Sequence, residues 1–143
     1  MEAAGIQVII GTPTYAIPSW MEKSYPDILA ETKKGRGIYG PRQIMDITHP
    51  VYLFYAERVI RRLMEVTAKR KCVIGFQIDN ETKYYGTAGN NVQRGFVKYI
   101  RSIFHDDLDA FNHAFGLDYW SNRINAWEDF PDVRGTINGS LGA

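Results

Sequence analysis

The sequence predicts an α/β fold built on a parallel β-α-β unit, and three stretches predict it. Residues 6–10 and 73–78 are short apolar runs without helical spacing, rich in β-branched side chains such as Ile6, Val8, Val73 and Ile74. Runs of that kind form buried parallel strands. Between them, residues 51–69 carry Tyr52, Ala56, Val59, Ile60, Leu63 and Val66 on one stripe at helical spacing. Strand, helix, strand in that order is a β-α-β unit, whose crossover is expected to be right-handed.

Each element has its own warrant. Glu2-Ala3-Ala4-Gly5 reads as a last helical turn stopped by glycine. Chains rarely start at such a stop, so the sequence looks like a piece of a longer protein. Residues 11–48 are rich in glycine and proline and read as one long irregular excursion, with a helical turn near 19–29. A loop of that length in a compact domain is usually functional, and this one leaves the C-terminal end of a strand. Its basic stretch Lys33-Lys34-Gly35-Arg36-Gly37 lacks phosphate-loop spacing and reads as a solvated turn.

Thr48 is the expected N-cap of the central helix, with Pro50 in its first turn. Lys69-Arg70-Lys71 suits the negative end of its dipole. A glycine-rich loop follows Glu81. A helix over 91–104 comes next, with Val92, Phe96, Ile100 and Ile103 as its stripe, and a shorter one over 107–115 ends at Gly116. The tail from Leu117 onward closes no further element.

Composition bounds the function. The 143 residues suit one domain, and 45% hydrophobic with 23% charged is ordinary for a globular protein. A net charge of +1 argues against a nucleic-acid or membrane-surface role. The single cysteine, Cys72, excludes an intrachain disulfide and fits a reducing compartment. No apolar run approaches the roughly 20 residues of a membrane span, and Met1 is not followed by a basic region that would open a signal peptide. The expectation is a cytoplasmic protein with no nucleic-acid or membrane partner.

The chemistry concentrates at the end of the second strand, in Asp79-Asn80-Glu81. Two carboxylates flanking an amide serve little structural purpose at the mouth of a buried strand. Ligands of α/β proteins bind outside the carboxyl ends of parallel strands, so Glu81 is the candidate catalytic carboxylate. Partial desolvation beside an apolar strand is expected to hold its proton. Asp79 is the weaker candidate and reads as a hydrogen-bonded acceptor that fixes the loop. Strand alternation puts Asp79 and Glu81 on one side and Asn80 on the other. All three reach one site only if the pleat breaks. His49, His105 and His113 show no ligand spacing, and no nucleophile elbow is present. Trp120 and Trp127 read as core residues or sugar platforms, with core favoured by spacing.

These residues also carry a resemblance. Gly11-Thr12-Pro13-Thr14, Pro18-Ser19-Trp20, Tyr25-Pro26, Gly40-Pro41-Arg42 and Gly75-Phe76-Gln77-Ile78-Asp79-Asn80-Glu81 resemble the β-galactosidases of glycoside hydrolase family 42. Asp109-Ala110-Phe111-Asn112, Phe115-Gly116-Leu117 and Tyr119-Trp120-Ser121-Asn122-Arg123 resemble the same family's segment after the acid/base loop. The likeness runs essentially end to end.

The resemblance implies a partial (β/α)8 TIM barrel. Residues 1–143 would be an internal piece of the catalytic domain, covering about the third and fourth β/α units and the excursion after the fourth strand. It implies a retaining hydrolase that removes terminal β-D-galactosyl residues from short galactosides. Glu81 matches the acid/base, Asn80 the residue that binds the sugar 2-hydroxyl, and Arg42 an arginine that binds the galactosyl ring. Trp120 matches a tryptophan that shapes the active site from a neighbouring subunit of a homotrimer. No cofactor is implied. The zinc cluster of some members is not expected, since the matching stretches around Asp46 and 85–94 hold no cysteine. The family's nucleophile would lie beyond Ala143, so this chain by itself is expected to be inactive and only marginally foldable. Two other readings are a retaining enzyme for a different β-linked sugar, and a non-catalytic sugar-binding or vestigial protein.

Overall fold

The computed structural model describes residues 1–81, 86–134 and 141, which fall into two compact units, Met1–Gly86 and Thr87–Ala143. The start of the glycine-rich loop read after Glu81 and most of the end of the tail lie outside the described residues.

The first unit contains the expected β-α-β. Strand β1 (Val8–Gly11) pairs in parallel with β4 (Val73–Gln77), Ile10 opposite Phe76 and Gly11 opposite Gln77. Helix α2 (Pro50–Thr67) connects them, preceded by α1 (Ser19–Ser24) and by a hairpin of β2 (Glu31–Thr32) and β3 (Gly35–Arg36). Lys33 and Lys34 form the turn of that hairpin, as the solvated-turn reading requires.

Three expectations are corrected here. The N-cap of α2 is His49, whose Nδ1 accepts the Val51 N–H at 3.2 Å. Thr48 instead donates both its N–H and its hydroxyl to Asp46 Oδ1, one residue too early to cap the helix. His49 is buried, and its Nε2 stands 3.3 Å from the Asp27 carboxylate, so both ring nitrogens are used.

The second correction concerns burial. Neither strand is buried within the described residues: Ile9 of β1 is 65% and Ile74 of β4 58% exposed. A two-stranded sheet has too little cover to bury both faces of a parallel pair.

The third concerns the excursion over 11–48, which is not an irregular loop. It carries the core of this unit, formed by Ile17, Met21, Ile28, Leu29 and Met45 with Ile44, Val51, Tyr52 and Tyr55 packed around it. Backbone bonds tie it together. Ala30 N–H donates to the Ile44 carbonyl at 2.6 Å, Asp46 N–H to that of Ile28 at 2.8 Å, and Leu29 bridges Met45. The Tyr52 hydroxyl, its pKa raised mainly by burial, donates to the Thr14 carbonyl and fastens α2 to the excursion.

The second unit holds α3 (Asn90–Ile103) and α4 (Leu108–Ala114). Asp107 caps α4 by accepting the Ala110 N–H, and Gly116, at φ 61°, follows its end. Ile100, Phe111, Leu117 and Ile124 form the core. Trp127 joins it as the spacing suggested, 5.4 Å from the Phe111 ring. Asn112 is fully buried yet satisfied: its amide donates to the Leu108 and Ile124 carbonyls and accepts the Ile124 N–H. Gln93 stitches the tail to α3, donating to the Pro131 carbonyl and accepting the Val133 N–H.

Arg134 clasps Asp132 with its guanidinium and its backbone N–H, which lowers the Asp132 carboxyl to about 2. A carboxyl depressed on folding adds stability above its ordinary value of 3.8, and that stability is lost as pH falls through about 2. A carboxyl-carbon NMR titration should give a midpoint near 2, and Arg134→Ala should return it toward 3.8.

Candidate active site

The site is assembled where β1 and β4 end. Thr12, buried just past β1, donates its N–H to the Gln77 carbonyl at 3.0 Å and its hydroxyl to the Ile78 carbonyl at 3.1 Å. These bonds carry the parallel pairing one residue further and fix the point where β4 gives out. Beyond it the pleat breaks, as a shared site requires. Asp79 Oδ1 accepts the Asn80 N–H at 2.8 Å, which is the loop-fixing role expected of it. Glu81 then adopts φ 52°. That left-handed conformation costs a side-chain-bearing residue roughly 1–3 kcal/mol and gathers at functional sites.

The opposite wall comes from the excursion. Arg42 and Gln43 sit between Gly40, at φ 129°, and the pinned stretch 44–46. The Gln43 N–H donates to the Tyr15 carbonyl at 2.6 Å. From this corner Arg42 Nη2 reaches to 3.6 Å of Glu81 Oε2. The two side chains are 62% and 69% exposed, so this is a loose, solvated pair of small energetic weight. Its value is geometric: a guanidinium and a carboxylate stand side by side and open onto the same solvent-exposed space.

Of the residues singled out from sequence, Arg42, Asn80 and Glu81 are brought together. The expected desolvation of Glu81 is not met among the described residues, because the strand beside it is itself open. Trp120 lies in the second unit. It is 86% exposed, has φ 57°, and meets Tyr119 edge-on at 5.9 Å, so the core reading of this residue is corrected. A left-handed, solvent-facing tryptophan buries nothing, which leaves its ring open as a surface.

Two residues escaped the sequence reading. Gln77 Nε2 donates to Asn80 Oδ1 at 3.3 Å. With its oxygen so engaged, the Asn80 amide presents its NH2 as the donor to a ligand. Gln43 Nε2 donates to the Asn80 carbonyl at 2.5 Å. The first was findable, since alternation places Gln77 and Asp79 on one side and a turn brings Asn80 back. The second depends on a contact 37 residues apart that no local pattern encodes.

The β-galactosidase profile of glycoside hydrolase family 42 matches residues 1–136. The chain is 32% identical over 137 residues to β-galactosidase BgaA of a Thermus species, covering 93% of this chain and 21% of that protein. It is 31% identical to a β-galactosidase of Thermus thermophilus, covering 90% of this chain and 20% of the relative. Its structure is similar to the β-galactosidase of Bacillus circulans sp. alkalophilus, with a TM-score of 0.79 and 26% identity over 91% of this chain and 19% of that one. The chain therefore spans about a fifth of the length of the curated relatives it matches.

Proposed function

Because this chain belongs to the β-galactosidases of glycoside hydrolase family 42, we propose that it supplies the acid/base half of a retaining β-galactosidase site. The observation that carries the proposal is the meeting of Arg42 and Glu81 across the C-terminal ends of two parallel strands. Glu81 gives a proton to the glycosidic oxygen as the bond to the galactosyl carbon breaks. It then takes a proton from the water that releases the sugar. Asn80, its oxygen held by Gln77, donates to the 2-hydroxyl, a bond that tightens as positive charge grows at the neighbouring carbon. Arg42, beside the Glu81 carboxylate, holds ring hydroxyls.

The rest of the reading follows the family. Residues 1–143 are an internal part of a (β/α)8 barrel, with β1 and β4 as about its third and fourth strands. The second carboxylate, about 5–5.5 Å from the first in retaining enzymes, comes from elsewhere in the full-length protein. That protein is a cytoplasmic homotrimer in which exposed Trp120 faces a neighbouring subunit's site, and its substrates are short β-galactosides. Among the described residues no helix is long and apolar enough to cross a membrane.

The full-length protein should hydrolyse an aryl β-galactoside and release β-galactose first, as followed by proton NMR of the anomeric signal. Release of the α-anomer first would overturn the retaining mechanism. A preference for the β-glucoside would overturn the substrate.

A further inference from the structure

Two residues with left-handed backbones face one another at this site, Gln43 at φ 59° and Glu81 at φ 52°. In an extended chain, consecutive side chains point to opposite sides. At the corner, the left-handed turn at Gln43 lets Arg42 and Gln43 both reach toward the end of β4, and there they grip consecutive residues. Arg42 meets the Glu81 carboxylate, and Gln43 donates to the Asn80 carbonyl, the acceptor of the peptide that leads into Glu81. Glycine or asparagine would serve better if position 43 only had to turn. A glutamine there carries the same backbone cost and adds a donor long enough to cross the gap. The corner is also firmly seated, since Gln43 N–H is tied to Tyr15 and residues 44–46 are bonded to 28–30 beside the buried core.

We propose that Gln43 is a positioning residue of the acid/base loop: its grip on the Asn80 carbonyl keeps Glu81 left-handed, with its carboxylate beside Arg42. The proposal rests on Glu81 being the acid/base. It assigns Gln43 no contact with substrate.

The test compares leaving groups in the full-length protein, because a general acid matters for poor ones and little for activated ones. Gln43→Met removes the donor at nearly unchanged length. It should lower kcat/KM for an alkyl β-galactoside by about ten- to a hundredfold, the loss expected when a catalytic group is misplaced by about 1 Å. Activity on a dinitrophenyl β-galactoside should stay nearly unchanged. Gln43→Lys, which restores an N–H donor of similar reach, should recover most of the loss. Amide exchange of the peptide containing Asn80 and Glu81 should quicken in the Met variant and not in the Lys variant.

Equal losses on both substrates, or no loss, would overturn the proposal, as would unchanged exchange. Glu81→Ala is measured alongside. If that variant fails to separate the two leaving groups, the acid/base assignment is wrong, and hydrogen exchange alone then decides the grip of Gln43. A Met variant that does not fold leaves the decision to Gln43→Asn, which folds with the same chemistry but falls short of the carbonyl and should show the same leaving-group split.

Discussion

Glu81→Ala in the full-length protein should lower kcat/KM for galactosides with poor leaving groups by about 10²–10⁴-fold, the span a positioned general acid contributes. The loss should be confined to steps that need a proton moved. An activated aryl galactoside, whose leaving group departs unaided, should still form the galactosyl-enzyme, and the variant should then stall for lack of a base. External azide needs no base and should restore release, giving a galactosyl azide of retained configuration. Unchanged hydrolysis of lactose by the variant would remove Glu81 from the acid/base role. Arg42 stands near enough to the carboxylate that the alanine variant also frees a guanidinium. The azide experiment is therefore the sharper one, since an anion drawn to that space reports on both groups at once.

Phe111→Ala carries the largest expected effect on stability. Its ring is fully buried, with ring centres at 5.4 Å for Phe104, 4.9 Å for Phe115, 5.4 Å for Trp127 and 5.6 Å for Phe130. Removing it deletes the common neighbour of four aromatic side chains that come from the C-terminal caps of α3 and α4 and from the tail. A hole of that kind costs about 3–5 kcal/mol because the surrounding rings close it only in part. Adjacent Asn112 raises the stakes. Its amide is paired with the backbone of Ile124, and slack in α4 leaves those groups unpaired in an apolar setting. Denaturant unfolding of the full-length variant should show a lowered midpoint or an early transition absent from the parent. A midpoint shifted by less than the equivalent of about 1 kcal/mol would mean that this cluster collapses freely.

Sequence patterns revealed the elements that repeat a period and missed those that do not. The bounds of α2 and α3 and the stop at Gly116 are local signals, and they read correctly to within a residue or two. The core of the first unit was illegible because Ile17, Met21, Ile28, Leu29 and Met45 share no period and meet only when the excursion folds back. Thr48 looked a better cap than His49 because hydroxyl residues usually hold that position. Asp46, buried two residues earlier, had already claimed the threonine.

Glu81 was legible at the site from its place after an apolar strand. Arg42 entered only through the resemblance, and the meeting of the two depends on a fold-back of 39 residues that spacing does not encode. The expected burial of the strands failed for a different reason. An apolar run states what a strand would prefer to touch, and the described residues supply too little surface to touch it.

The left-handed backbone at Glu81 has a consequence for engineering. Selection for heat resistance alone favours glycine or asparagine at such a position, since either relaxes the backbone. Neither can bring a carboxyl group to the place where Oε2 now stands opposite Arg42. With Glu81 in its proposed acid/base role, screens for hardier variants should find position 81 as an easy gain and lose turnover with it. A library that holds residue 81 fixed, and seeks its stabilising changes in the aromatic cluster around Phe111, avoids that trap.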